Sequence, residues 1–178
     1  MAVPQGDPTY IKNKEQFFIE VAKTIARASS HPVAPGACVI VRDREIIGEG
    51  RSVLTASIVE IDCISVAIGA TSKRGTPTVG ATIYSTRYPF TTPIFQCHQM
   101  GINRIVVLAH EWEPFYKDEF RRAARLSRDL QVTIETYFDK DDPRFESNPQ
   151  SFEQNPFETD EYDPQVVNDI PDEDSISI

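Results

Sequence analysis

No run of about 18 apolar residues, the length a membrane-spanning helix needs, occurs anywhere in the 178-residue chain. The opening Met-Ala-Val-Pro-Gln-Gly-Asp-Pro lacks the basic start and apolar stretch of a secretory signal, which predicts a cytoplasmic protein. Cysteine is scarce. Cys38, Cys63 and Cys97 are widely spaced, and two of them sit inside apolar runs. That pattern excludes a disulfide framework and reads as buried free thiols in a reducing compartment. There is no cationic surplus either: 18 Lys and Arg face 27 Asp and Glu, a net charge of −9. Strong nucleic-acid binding leans on cationic surface, so the balance gives no support for it.

The acid is concentrated at one end. Residues 1–138 hold 16 basic and 14 acidic side chains, while residues 139–178 hold 2 and 13. The chain therefore divides into an N-terminal arm (1–13), a near-neutral folded domain (14–138) and an acidic tail (139–178). The tail carries five prolines and few aliphatics, which predicts mostly non-regular structure. Phe145, Phe152, Phe157 and Tyr162 punctuate it, either as docking points or as incidental aromatics in a solvating segment.

Within the domain, apolar periodicity predicts helix over Lys14–Ala28, with Asn13 and Gln16 placed as a capping box. Strands follow at Gly36–Arg42 and Ile46–Gly50, joined as a hairpin by Asp43-Arg44-Glu45. Arg51–Ser57 reads as a loop, Val59–Thr71 as a second helix and Ala81–Ser85 as a third strand. Thr92–Gln99 is a short helix with Thr91 or Thr92 as its N-cap and Gly101 as its stop. Arg104–Ala109 is a strand buried on both faces. Pro114–Leu130 is a helix whose Arg121, Arg122, Arg125 and Arg128 form a cationic stripe, and Gln131–Phe138 is the last strand. The last three strands alternate with helices, which implies parallel crossovers. The expectation is a three-layer α/β/α sandwich around a five-stranded mixed sheet.

Particular residues sharpen this. Glu60, Asp62 and Ile64 follow one another at alternate positions. Pro89 stands twelve residues before Gly101, which opens Gly-Ile-Asn-Arg-Ile-Val-Val. With Gly-Ala-Cys-Val-Ile-Val at 36–41 and Ile-Ile-Gly-Glu-Gly at 46–50, this layout resembles the zinc-dependent cytidine and deoxycytidylate deaminase superfamily. In that family one helix begins His-Ala-Glu and a later one Pro-Cys-x-x-Cys. The resemblance implies a zinc ion that turns water into hydroxide at neutral pH and a Glu that shuttles protons.

Laid on this chain, the three metal-ligand positions fall at Ile58, Phe90 and Pro93, and the proton-shuttle position at Glu60. None of the three apolar side chains donates an electron pair, so no metal or other cofactor is expected despite the family's zinc. Sliding Asp62 onto the His position would leave Ile64 at the Glu position. Glu60 reads as a vestige of the shuttle or as an acid in the first turn of a helix, where the dipole favours it. Arg51 and Ser52 stand where family members hold a nucleotide, and Arg51 is equally an ordinary surface arginine. Cys97 reads as packing and His98 as a surface or hydrogen-bonded group, while His31 has no evident partner.

The expected function is that of a deaminase-fold protein without the chemistry, a structural or regulatory subunit with protein partners. A homo-oligomer or a larger complex is implied, with 139–178 as a contact arm and no membrane. The alternatives are a divergent nucleotide deaminase, and a nucleotide-sensing module that kept the pocket.

Overall fold

The computed structural model describes residues 14–32, 35–56, 60–109, 117–137 and 139. Five strands form one mixed sheet, in the spatial order β2 (Glu45–Arg51), β1 (Ala37–Arg42), β5 (Thr82–Ser85), β6 (Arg104–Leu108), β7 (Thr133–Tyr137). β1 pairs antiparallel with both β2 and β5, whereas β5, β6 and β7 run parallel. The crossovers between the parallel strands are α3 (Thr91–Gln99) and α4 (Lys117–Asp129). This is the expected three-layer architecture.

The layers follow from strand alternation. Successive side chains on β1 point to opposite faces. Cys38 and Ile40 join Ile83, Ile105 and Val107 on the face covered by α2 (Cys63–Lys73), α3 and α4. Val39 and Val41 join Tyr84, Val106 and Leu108 on the other face, where α1 (Lys14–Ala26) lays Phe18 and Ile19. β1 sits between two strands and two helical layers, so all but its terminal Arg42 are buried. The hairpin turn holds both Asp43 and Arg44 at positive φ, the twist that suits a two-residue connection. Gly101, at φ +68°, takes the left-handed position that ends α3.

Four expectations need correction. The second helix begins at Cys63, not Val59, and Glu60 and Ile61 before it belong to a separate two-stranded ribbon. In that ribbon β3 (Val53–Leu54) pairs antiparallel with β4 (Glu60–Ile61), so part of the expected 51–57 loop is strand. The reason is Asp62: its carboxylate accepts from the Ile64 N–H at 2.7 Å and starts the helix there. Glu60 is thus a strand residue and not a first-turn acid. The third helix starts at Thr91, and neither threonine is its N-cap. Phe90 holds that place without a side-chain hydrogen bond.

The remaining elements lie within a few residues of expectation. The Asn13 cap, residues 114–116 of the expected fourth helix, Phe138 and the tail beyond Asp139 fall outside the described residues. All three cysteines are free and buried. Among the described residues no helix is long and apolar enough to cross a membrane.

Candidate functional site

The starts of α2 and α3 converge on a pocket of about 550 Å³. β4 and the α2 start bring Glu60, Ile61 and Asp62 to it, the α3 start brings Phe90 and Pro93, and α4 brings Glu119. Ser65 of α2 donates its hydroxyl to Oε1 of Gln96 on α3 at 2.8 Å, which ties the two helices together across one wall.

Each carboxylate in the pocket has an internal partner. Asp62 caps α2. Glu119 reaches from α4 to the start of α3, where its Oε1 accepts from the Thr91 N–H at 3.0 Å and from the Thr91 hydroxyl at 2.7 Å. The cap that the sequence placed on Thr91 or Thr92 is therefore supplied 28 residues further along the chain. Glu60 accepts from Arg87 at 2.8 Å, with His31 Nε2 at 3.6 Å from its other oxygen. All three side chains of that group are mostly buried. His31, which the sequence left without a partner, belongs to this cluster.

These contacts set the local electrostatics. Burial pushes the Asp62 carboxyl up to about 6, against the downward pull of the Ile64 and Ser65 N–H groups and of Arg87. For Glu119, burial also acts upward. The hydrogen bonds from Thr91 and Arg122 outweigh it and leave the carboxyl below its ordinary value. Burial, reinforced by the Asp62 charge, pushes the Cys97 thiol up to about 12. That thiol is protonated at neutral pH and is not a reactive thiolate.

The predicted site residues separate. Phe90, Pro93 and Glu60 line the pocket, as does Asp62. Ile58 lies outside the described residues. Arg51 is exposed and donates to the Ala28 carbonyl at 3.0 Å, while Ser52 is buried, its hydroxyl without a partner among the described residues. Neither lines this pocket. Cys97 packs in the core and His98 meets the Leu130 carbonyl.

The donor set does not suit zinc. Phe90 stacks on Phe120, with ring centroids 5.8 Å apart, and Pro93 is buried. Neither has an electron pair to give a metal. Among the described residues no three His, Cys, Asp or Glu side chains are grouped to hold an ion.

The interhelix cap gives a direct prediction. Glu119→Ala removes the acceptor for both Thr91 donors and should cost about 1 kcal/mol, the usual worth of an N-cap. Urea unfolding measures the loss. Amide exchange should accelerate in the first turn of α3 and leave α2 unchanged.

No protein-family model matches the chain, and no curated protein matches it in sequence. Solved structures do match. The dCMP deaminase of cyanophage S-TIM5, in complex with dCMP and dUMP, superposes with a TM-score of 0.60 at 12% identity, over 72% of this chain and 100% of that one. A Thermotoga maritima diaminohydroxyphosphoribosylaminopyrimidine deaminase/reductase gives 0.58 at 20% identity, over 69% of this chain and 36% of the other. Acinetobacter baumannii RibD gives 0.55 at 20% identity, over 69% and 35%. At these identities the likeness is one of fold, and over the matched part the chain has the α/β fold of these deaminases.

Proposed function

We propose that this chain is a deaminase-fold protein that works by binding and not by zinc-hydroxide chemistry, as a structural or regulatory subunit of an oligomer or larger assembly. One observation carries the reading: both helix starts that the family opens to a metal are closed here by the chain's own side chains. Asp62 caps one and Glu119 the other, while Phe90 and Pro93, at positions that the resemblance gives to thiolates, line the pocket between them. Counted from the observed helix start, the family's His-Ala-Glu falls on Asp62-Cys63-Ile64. In that register Asp62 is spent on the cap, and Ile64, fully buried, offers nothing that moves a proton. Counted by the sequence spacing, the shuttle is Glu60, which Arg87 and His31 engage. Without a metal, water keeps a pKa of about 15.7 and supplies no hydroxide at neutral pH.

Zinc analysis by mass spectrometry on protein purified with zinc present tests this. The expected result is far less than one ion per chain and no ammonia released from dCMP or cytidine. Stoichiometric zinc with deamination lost in Glu60→Gln would sink the proposal.

A second reading, a nucleotide-sensing module, is favoured by the pocket itself. Its volume lies within the 300–1,000 Å³ typical of small-molecule sites. A rise in melting temperature with dCMP, dCTP or dTTP on the same zinc-free protein would select it over a purely structural role.

A further inference from the structure

We propose that the outer face of α4 is the docking site for this chain's own acidic segment, residues 140–178. The inner face of α4 is fully used: Phe120 and Ala123 are buried in the core. The outer face presents Arg121, Arg122, Arg125 and Arg128, all exposed. Arg121 meets Asp118 only at 3.5 Å, and Arg122 meets Glu119 at 3.0 Å with two thirds of its side chain still in solvent. Arg125 has no ion-pair partner among the described residues. Adjacent pairs on one exposed helix are weak and readily exchanged.

The segment matches this face in two independent respects. Its charge is of opposite sign, with 12 acids against Lys140 and Arg144. Its aromatics are also placed to suit: Phe145-Glu146, Phe152-Glu153, Phe157-Glu158 and Tyr162-Asp163 are four aromatic–acid pairs, and every Phe or Tyr of the segment is in one. A guanidinium takes a carboxylate in its plane and a ring on its face, so each such pair is a ligand for an arginine. Residues 121–128 span roughly 10 Å of helix. The aromatic–acid pairs recur every five to seven residues, which is at least about 16 Å of extended chain. One or two pairs therefore seat at a time and the others exchange with them.

The point of departure is compatible. Asp139, buried, is fixed by Lys23 of α1 at 2.8 Å, beside the edge strand β7 that α4 packs against. Ten residues of extended chain cover about 33 Å, enough to round the sheet edge. Tethering raises the effective concentration of even weak contacts.

The test uses the full chain. The native thiols are buried, so Ser151→Cys gives a single accessible site for a nitroxide beside Phe152. At low salt the amide signals of 121–128 should be lost to paramagnetic broadening. They should return in about 1 M salt, where charges are screened beyond ~3 Å, and also in Arg121→Gln/Arg125→Gln, which leaves the core untouched. Phe152→Ala/Phe157→Ala should weaken the broadening without any change of charge. Unbroadened α4 signals in a well-dispersed spectrum would overturn the proposal, and so would broadening that survives the arginine substitutions. Mixing isotope-labelled chains with separate spin-labelled ones supplies the last arm. Docking within one chain predicts no broadening in that mixture, and broadening there comparable to that of the doubly labelled chain would assign the contact to a second copy and overturn the proposal.

Discussion

Gly50→Ala should destabilise the domain by about 3 kcal/mol, a large part of the 5–15 kcal/mol typical of a domain. A methyl at this position of β2 would stand 2.2 Å from the Cys63 carbonyl oxygen and 2.5 Å from the Ala67 nitrogen. Both are backbone atoms of α2, so no side-chain rotation relieves the overlap. The helix itself has to move, and it carries Asp62, Ser65 and one wall of the pocket. Two other glycines calibrate the effect. At Gly48 the new methyl meets the Thr71 hydroxyl, which can turn away and give up its 2.7 Å bond to the Ala67 carbonyl, a cost of about 1 kcal/mol. At Gly69, inside α2, nothing lies within 4 Å. Alanine there should stabilise by about 0.5–1 kcal/mol through helix propensity alone. Urea unfolding of the three variants tests both order and sign. A Gly50→Ala protein as stable as the parent would mean that α2 does not press on β2 as described.

The second large effect is on pH. With its folded value near 6, Asp62 lies above the ~3.9 of an unfolded chain. Between those values the folded state keeps a proton that the unfolded state has released, so stability falls as pH rises through the window. Two units correspond to at most about 3 kcal/mol. Asp62 is only partly buried as a residue, and about 1–2 kcal/mol is the expected loss after solvent screening. Asparagine caps a helix as well as aspartate and bears no charge. Asp62→Asn should therefore be more stable than the parent at pH 7 by the same amount, with a flatter stability profile between pH 4 and 6.

Glu119 and Glu135 act in the opposite sense. Both carboxyls lie below their ordinary value of 4.5 in the folded protein, Glu135 because Arg104 bonds it. Their contribution is present above 4.5 and is lost as pH falls through their folded values. The parent should thus be most stable near pH 4.5, and Asp62→Asn should shift that maximum upward. Denaturation at a series of pH values measures this, and identical profiles for the two proteins would contradict the burial of the Asp62 carboxylate.

Much of the fold was legible because its signals are local. The run Ala-Cys-Val-Ile-Val at 37–41 can only be a buried strand, and the apolar spacing of α1 repeats every turn. The β3–β4 ribbon left no such trace, since two strands of two residues each are too short for alternation to show. The start of α2 was misread for a different reason. The Glu-x-Asp-x-Ile spacing favoured a register beginning near Ile58, while the decisive signal was a lone Asp62 in front of an apolar run, a pattern that also fits a mid-helix acid. Phe90, Pro93 and Glu60 line one pocket because the fold brings β4 and the two helix starts together. Glu119 and the Glu60–Arg87–His31 cluster join residues 27 to 29 positions apart, and nothing short-range marks them.

The placement of β1 has a consequence for synthesis on the ribosome. This strand is hydrogen-bonded on one side by β2, which follows it at once, and on the other by β5, which ends 34 residues after β2. At about 5–20 residues per second, the hairpin waits a few seconds with one edge open and its apolar faces wet. Gly48 and Gly50 leave β2 little side chain with which to shield them. A nascent chain stalled in that interval is the form most exposed to pairing with a neighbouring copy. Emergence of Tyr84 and Ser85, and not the completed domain, is what ends the exposure.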